Sequence, residues 1–319
     1  MMSRKLKGCL FAIISLFFVS MQPIIANSRP EVLDAFIFAG MTALFQALLF
    51  FPLLLMEQKS ISKKNKTIEK PFETGLSYVQ RLIKHKYLFI YIGINFSFAQ
   101  IFFFIAYELA GALNGALAQQ TSIVFGLIFG VLINNDKINK IQVLFAGILF
   151  FGLILAITQG SFNLVEINLG VCFMLACAAL WMLAHAIVHP ILEKNQISPI
   201  QLVFTRNILS GIFLVFTYFI IFPSLDINLL FTPLNMFFFF LMAFFYSVDL
   251  YFWYTSISYI EISKASVLVS PMPIVTAFFA FFLLSEIFTI FHLIGAVIVI
   301  LCIIVIVQSK EKNLIVKKR

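Results

Sequence analysis

The sequence predicts an all-α, polytopic membrane protein: ten transmembrane helices arranged as two inverted five-helix repeats. Three observations carry that expectation: the apolar content, the spacing of the apolar runs, and a one-sided distribution of basic residues. Of 319 residues, 62% are hydrophobic and 11% charged, with mean hydropathy +1.04, whereas a typical soluble domain is about 25% charged. A bilayer-spanning helix takes roughly 20 residues, so the apolar material suffices for about ten spans with little left over. This composition excludes a soluble enzyme, a nucleic-acid binder and a large extramembranous domain.

The elements follow in order. The run at 8–26 comes after Arg4, Lys5 and Lys7 and imitates a secretory signal; the repeat described below favours an uncleaved first helix. A second helix at 33–56 ends at the polar linker 57–86, the one long connection. The third, 87–108, carries Asn95 and Gln100, and the fourth, 111–133, carries the polar string Gln119, Gln120, Thr121 and Ser122. Small residues recur along that fourth helix at Gly111, Gly115, Ala118, Ser122, Gly126 and Gly130, a pattern that lets another helix approach closely. It reads as internal packing, with monomer or homodimer left open. The remaining expected spans are 141–158, 168–192, 200–222, 236–256, 264–284 and 288–307. Cys9, Cys172, Cys177 and Cys302 all fall inside apolar runs and read as small core residues rather than disulfides or metal ligands.

With the N-terminus inside, every Lys and Arg falls in a cytoplasmic segment except Arg29, which is outside, and Arg206, which is within a helix. Basic residues near helix ends stay on the cytoplasmic side. An error in the number of spans would move downstream loops to the wrong face and blur this asymmetry. The net charge of +8 is therefore an orientation signal rather than a nucleic-acid footprint, and both chain ends are expected in the cytoplasm of a cell or inner membrane.

Self-comparison adds the repeat. A shift of 150 lays Ala106 to Ala156 over Ser256 to Ile306, placing Asp136 on Glu286, Gln142 on His292 and Ala146 on Ala296. Five spans per half is an odd number, so the halves at 1–160 and 161–319 insert upside down relative to each other. Inverted repeats are a recurring transporter design, with a site near the midplane where the halves meet.

At these residues the chain resembles a known family. The segment 265–305 has a proline-bearing helix running into an acidic residue and then a glycine-bearing final helix; Pro273, Glu286 and Gly295 occupy those places. It resembles the end of an EamA repeat of the drug/metabolite transporter superfamily. Residues 170–185, GVCFMLACAALWMLAH, are similar to the opening helix of the second repeat, with Ala178, Ala179, Trp181 and Ala184 in typical positions. Arg206 resembles the arginine often found in the next helix. The first repeat departs from the pattern: Ile123 stands where Pro273 has its match, Asp136 replaces Glu, and Gln46 lies near where an arginine belongs. The resemblance implies ten helices in two inverted repeats that transport small metabolites.

Charges at membrane depth normally face the bundle interior or find a partner. His185, Arg206 and Asp249 lie roughly 9–10 Å from the cytoplasmic ends of three consecutive helices by the helical rise. They are expected to form one cluster, with Arg206 paired to Asp249 and His185 tuning or relaying a proton; the plainer alternative is a structural ion pair. His185, His189 and Glu193 share a helix face, but Pro190 interrupts it and no metal site is expected. Gln119 and Gln120, matched by the repeat to Ser270 and the Pro271–Pro273 segment, are the leading substrate-site candidates, because prolines free backbone groups where a helix lines a cavity. Asn95, Gln100, Tyr246, Trp253 and Tyr254 are candidates for hydrogen bonds and aromatic walls.

The function expected is secondary transport of a small organic metabolite by alternating access, without a cofactor. GxxxxGK[ST] is absent, so ATP is not the direct energy source. The alternative is a membrane-embedded enzyme acting on a lipid or isoprenoid substrate, but the sequence lacks HExxH, GxSxG and Asp-rich motifs, so no enzymatic activity is expected.

Overall fold

The computed structural model describes residues 4–65, 78–134, 138–162, 168–193, 196–222, 227–260 and 262–317. Its helices are α1 (Arg4–Ser28), α2 (Ala35–Asn65), α3 (Tyr78–Lys84), α4 (Lys86–Gln119), α5 (Ser122–Asn134), α6 (Lys140–Ile157), α7 (Leu169–Glu193), α8 (Pro199–Ile221), α9 (Pro233–Tyr259), α10 (Ile262–Val269), α11 (Met272–Leu283) and α12 (Ile290–Lys317), with a 3₁₀ turn at Ile227–Phe231. No strand occurs among the described residues. Among the described residues, eight helices are long and apolar enough to cross a membrane. Large apolar side chains such as Leu144, Phe216, Phe278 and Phe282 stay exposed on the outside, the surface a bilayer solvates and water does not.

α4 has 34 residues; as a straight rod it would measure about 51 Å, far more than a hydrocarbon core of roughly 30 Å. Gly111, at φ 77 and ψ 171, breaks it, using the left-handed region that glycine enters without a Cβ clash. Beyond that point the chain doubles back. The Tyr107 hydroxyl donates to Gln119 Oε1 at 2.6 Å, whereas twelve residues of straight helix would hold the two about 18 Å apart. The boundary expected between the third and fourth helices therefore lies at Gly111. The N-terminal turn that begins there is capped from a distant segment: the backbone N–H groups of Ala112 and Leu113 donate to Glu286 Oε1 at 2.7 Å and Oε2 at 3.0 Å.

The fourth and ninth helices, each expected as one span with the ninth bent at its prolines, are both broken near their middles. α10 stops before Ser270, and α11 restarts at Met272, because Pro271 and Pro273 lack the N–H groups a continuous helix needs. Without any proline, the matching break before α5 is made by Gln120 and Thr121. Their backbone N–H groups bond three residues back, to Leu117 and Ala118, and the Thr121 hydroxyl takes the Ala118 carbonyl at 2.7 Å, competing with the helix ladder. The break also interrupts the small-residue series of the expected fourth helix. Gly115 fits against the Tyr107 ring and Gly126 against Met182 on α7, both contacts within one chain. Asp136 lies outside the described residues.

Helix starts recur at the shift of 150: Ser122 with Met272, and Lys140 with Ile290. So do their caps. Asn139 and Gln142 form a reciprocal capping box at the start of α6. Thr289 and His292 exchange the corresponding bonds at the start of α12: Thr289 N–H donates to His292 Nδ1 at 3.2 Å, and His292 N–H donates to Thr289 Oγ1 at 3.4 Å.

Packing joins the two halves of the chain throughout. α1 packs along α9, α2 along α8, α4 along α7 and α6 along α12, while α5 rests on α7 and α11 on α1. Exchanging the halves maps this set of pairings onto itself. Contacts of single residues follow the same exchange: a Cβ on Gly8 would meet Ile260 at 2.7 Å, and one on Gly170 would meet Ala110 at 2.6 Å. Where α6 crosses α12, a Cβ on Gly295 would stand 2.6 Å from both Ala156 Cβ and the Gly152 carbonyl oxygen, so the helices touch backbone to backbone.

Candidate functional site

Buried polar and charged side chains gather where α1, α4, α7, α8 and α9 converge, with others, such as Gln46 on α2 and Gln142 on α6, elsewhere in the interior. α8 begins with Ser198 as N-cap and Pro199 at its first position, the arrangement those residues favour, and carries Arg206 about two turns in. Arg206 is 1% exposed. Its guanidinium carbon lies 3.9 Å from the centre of the Phe96 ring and 5.9 Å from that of Tyr246, and Nε donates to Asn207 Oδ1 at 3.2 Å.

From this centre an aromatic path runs in both directions. Toward one end of the bundle, Phe96 meets His185, whose Nε2 lies 3.4 Å from the Tyr254 hydroxyl. Toward the other, Tyr246 meets Phe103, which also contacts Trp181 and Tyr107; Tyr107 then reaches Gln119. Phe96, Gln100, Phe103 and Tyr107 succeed one another at steps of four, three and four residues, so all four share one face of α4.

The expected ion pair between Arg206 and Asp249 is not formed. Asp249 Oδ1 accepts from the Ser15 hydroxyl at 2.6 Å, and Oδ2 accepts from Gln22 Nε2 at 3.0 Å. The reason is rotational: Asp249 is three residues beyond Tyr246, about 60° around the helix, which turns it from the Arg206 side of α9 toward α1, the helix that α9 packs along. Both charges remain in the same interior, held by different partners.

The other candidate residues divide. Gln100 is fully buried on the Arg206 side of α4, with both ends of its amide unpartnered within the protein. Gln120 Nε2 lies 3.7 Å from Met272 Sδ, so the two helix breaks touch each other. Pro273 is buried in the first turn of α11. Ser270 bonds back to the Val267 carbonyl at 2.8 Å, as a structural serine does. Asn95 is turned off the Gln100 face and bonds the Tyr91 hydroxyl at 3.2 Å. Trp253 packs half-buried against the hydrophobic core. His185 and His189 lie a turn apart on α7, the Glu193 side chain is outside the described ones, and no group of three His, Cys, Asp or Glu able to hold a metal occurs among the described residues.

Ser15, Gln22, Phe96, Phe103, Trp181 and Asn207 join the site without having been singled out for it from sequence. Two signals were present there. Ser15 and Gln22 are polar residues seven apart in an apolar span, hence on one helix face, and Phe96 is Tyr246 displaced by the repeat shift.

Polar contacts close the bundle at both ends. At one, the Ser198 hydroxyl donates to Glu57 Oε2 at 2.8 Å, Arg81 Nη1 donates to Gln201 Oε1 at 3.1 Å, and the Tyr78 and Thr205 hydroxyls lie 2.7 Å apart. Burial pushes the Arg81 guanidinium below its ordinary pKa, with the Glu57 carboxylate opposing that shift. At the other end Arg29 pairs with Glu108, and the Tyr218 hydroxyl donates to Asp34 Oδ2 at 2.5 Å. Burial lowers the Arg29 pKa, and Glu108 partly restores it.

Comparison with known proteins agrees with this architecture. A solved crystal structure superposes over 98% of this chain and 98% of its own at a TM-score of 0.62 and 12% identity, a likeness of fold alone. The chain is 28% identical over 236 residues to "Uncharacterized transporter YyaM" of Bacillus subtilis (strain 168), covering 72% of this chain and 75% of that protein. The model of the EamA-like transporter family matches residues 6–158 and again 168–308, and the chain, a multi-pass membrane protein, belongs to that family.

Proposed function

We propose that the protein is a secondary carrier that moves a small organic metabolite by alternating access. The observation that carries this reading is the seam. The most extensive helix pairings, α4 with α7, α1 with α9, α6 with α12 and α2 with α8, each join one half of the chain to the other, and the buried polar groups of α1, α4, α8 and α9 collect between the halves. In the reading proposed, the two halves at 1–160 and 161–319 are inverted five-helix repeats. The doubled α4, α5 continuing its second arm, and the α10–α11 pair together bring the number of crossings to ten. Rocking of one half against the other would open the central cluster to each face in turn, exchanging the Glu57–Ser198 and Asp34–Tyr218 contacts at the two ends. The basic residues then lie in the cytoplasm, with both chain ends, in a cell or inner membrane. No cofactor enters the cycle, no enzymatic step is required, and the partners are the substrate and the bilayer.

Asp249 is the coupling residue in this reading. A carboxylate cannot snorkel to the interface from its position, and it binds α1 to α9 through two hydrogen bonds that a proton on either oxygen would rearrange. The test is an untargeted comparison of metabolite uptake and efflux in vesicles with and without the protein, followed by counterflow of whatever differs. A carrier gives saturable exchange accelerated by substrate on the far side. Saturation without counterflow, large unitary conductance, or conversion of a lipid substrate each overturns the reading.

A further inference from the structure

The hydrogen-bonding groups around Arg206 are unevenly matched. Nη2 of Arg206 has no partner within the protein, and the ion pair recorded among the described residues is Arg29 with Glu108, at the far end of the bundle. Asp249, the acid within range of the Arg206 charge, has both oxygens engaged by Ser15 and Gln22. Asn207 Nδ2 next to Arg206, Gln100 Nε2 one turn along α4 from Phe96, and Trp181 Nε1 on the far side of Phe103 are likewise unpartnered, and Gln100 Oε1 is the one acceptor among them. A buried guanidinium is costly unless it is both paired and hydrogen-bonded. Stacking on Phe96, the Asn207 amide oxygen and the neutral hydroxyls of Tyr246 and Tyr254 offset only part of that cost and supply no opposite charge.

We propose that Arg206 receives a carboxylate of the transported molecule, with Gln100 and Trp181 farther along the same aromatic path, so that the substrate class is a small organic monocarboxylate with an apolar body. This rests on the carrier reading above. Four unpartnered N–H donors, one of them cationic, call for a ligand group that only accepts, and a planar carboxylate matches the guanidinium fork. Phe96, Phe103 and Tyr246 supply apolar walls for the remainder. A lipophilic cation would meet like charge within an interior where such repulsion is strong, and a phosphate dianion would exceed the single cation available.

The test uses the full chain in phospholipid nanodiscs. The chain has two tryptophans, so Trp253→Phe leaves Trp181 as sole reporter. Its emission is titrated with the straight-chain carboxylates from acetate to octanoate and with three matched probes: phenylacetate, phenylacetamide and phenethylammonium. Saturable quenching is expected from at least one carboxylate, with the amide and the amine at least ~10-fold weaker. Arg206→Gln is expected to weaken carboxylate binding ~10- to 100-fold, the range of a hydrogen bond to a charged group. If Arg206→Gln fails to fold, Arg206→Lys, which keeps the charge and loses the fork, is expected to weaken binding by a smaller factor. Absence of any carboxylate response, equal binding of amide or amine, or affinity indifferent to both Arg206 substitutions overturns the assignment. Counterflow of the same probes in proteoliposomes separates the two readings. Carboxylate binding without counterflow leaves the site standing and removes the carrier, whereas counterflow of the amine alone leaves the carrier and removes the carboxylate site.

Discussion

The Arg206 guanidinium lies 3.9 Å above the ring of Phe96, and the second aromatic beside it, Tyr246 at 5.9 Å, is Phe96 carried through the shift of 150 that relates the two halves. One cation on α8 therefore contacts equivalent positions on α4 and α9. This is the place in the bundle where a residue without a matching charge in the other half, which has Gln46 near the corresponding place, sits between two residues that match.

Asp249→Asn retains the acceptor facing Ser15 but cannot ionise. If Asp249 couples transport to protons, a one-unit pH gradient supplies about 1.4 kcal/mol per proton and supports at most ~10-fold accumulation. The expected outcome is wild-type accumulation that follows an imposed gradient and an Asp249→Asn variant that equilibrates without accumulating, measured in proteoliposomes. Unchanged dependence on the gradient removes the coupling role.

Glu286→Ala leaves the N–H groups of Ala112 and Leu113 without their cap. A loss of about 1–2 kcal/mol is expected, read from denaturant unfolding in detergent micelles. Gly111→Ala is expected to cost a similar amount, ~1–2 kcal/mol, from its left-handed backbone, and its Cβ would also crowd Glu286 Oε1 at 3.1 Å. Stability unaffected by either change contradicts the hairpin geometry.

Gly295→Ala and Gly147→Ala place the same methyl group on paired helices with opposite expected results. At Gly295 the methyl meets backbone and Ala156 at 2.6 Å, and at Gly147 it meets nothing within 4 Å. Overpacking predicts about 1–3 kcal/mol of destabilisation at Gly295. Helix propensity predicts a gain of up to ~1 kcal/mol at Gly147. Thermal unfolding of the two variants side by side decides the matter.

Orientation is tested with single cysteines in a cysteine-free background. Both Glu31 and Lys59 are exposed, at opposite ends of the first two helices. In intact cells a membrane-impermeant maleimide is expected to label Glu31→Cys, and Lys59→Cys only after permeabilisation. The reverse pattern inverts the topology proposed here.

Much of the architecture was legible in the linear pattern because hydrocarbon imposes a simple rule: a backbone in lipid must satisfy its own hydrogen bonds, so long apolar runs are helices. The repeat shift was legible for a related reason. Helix starts are set by local caps, and Asn139–Gln142 and Thr289–His292 are local. The break at Pro271 was written in the sequence as well. Its counterpart at Gln120–Thr121 was not, because competition between a hydroxyl and the helix ladder depends on what surrounds it.

Partners across helices were the part that sequence did not determine. Depth along each helix put Arg206, His185 and Asp249 in the same interior, but depth says nothing about rotation, and about 60° of rotation turned Asp249 to Ser15 and Gln22. By itself the sequence determined a membrane chain in two related halves, with a few polar groups too costly to leave in lipid. Only the tertiary structure decided which of those groups meet and which remain unpaired. Helix facing is fixed by the sum of many weak contacts along each interface, and no local run of residues encodes that sum.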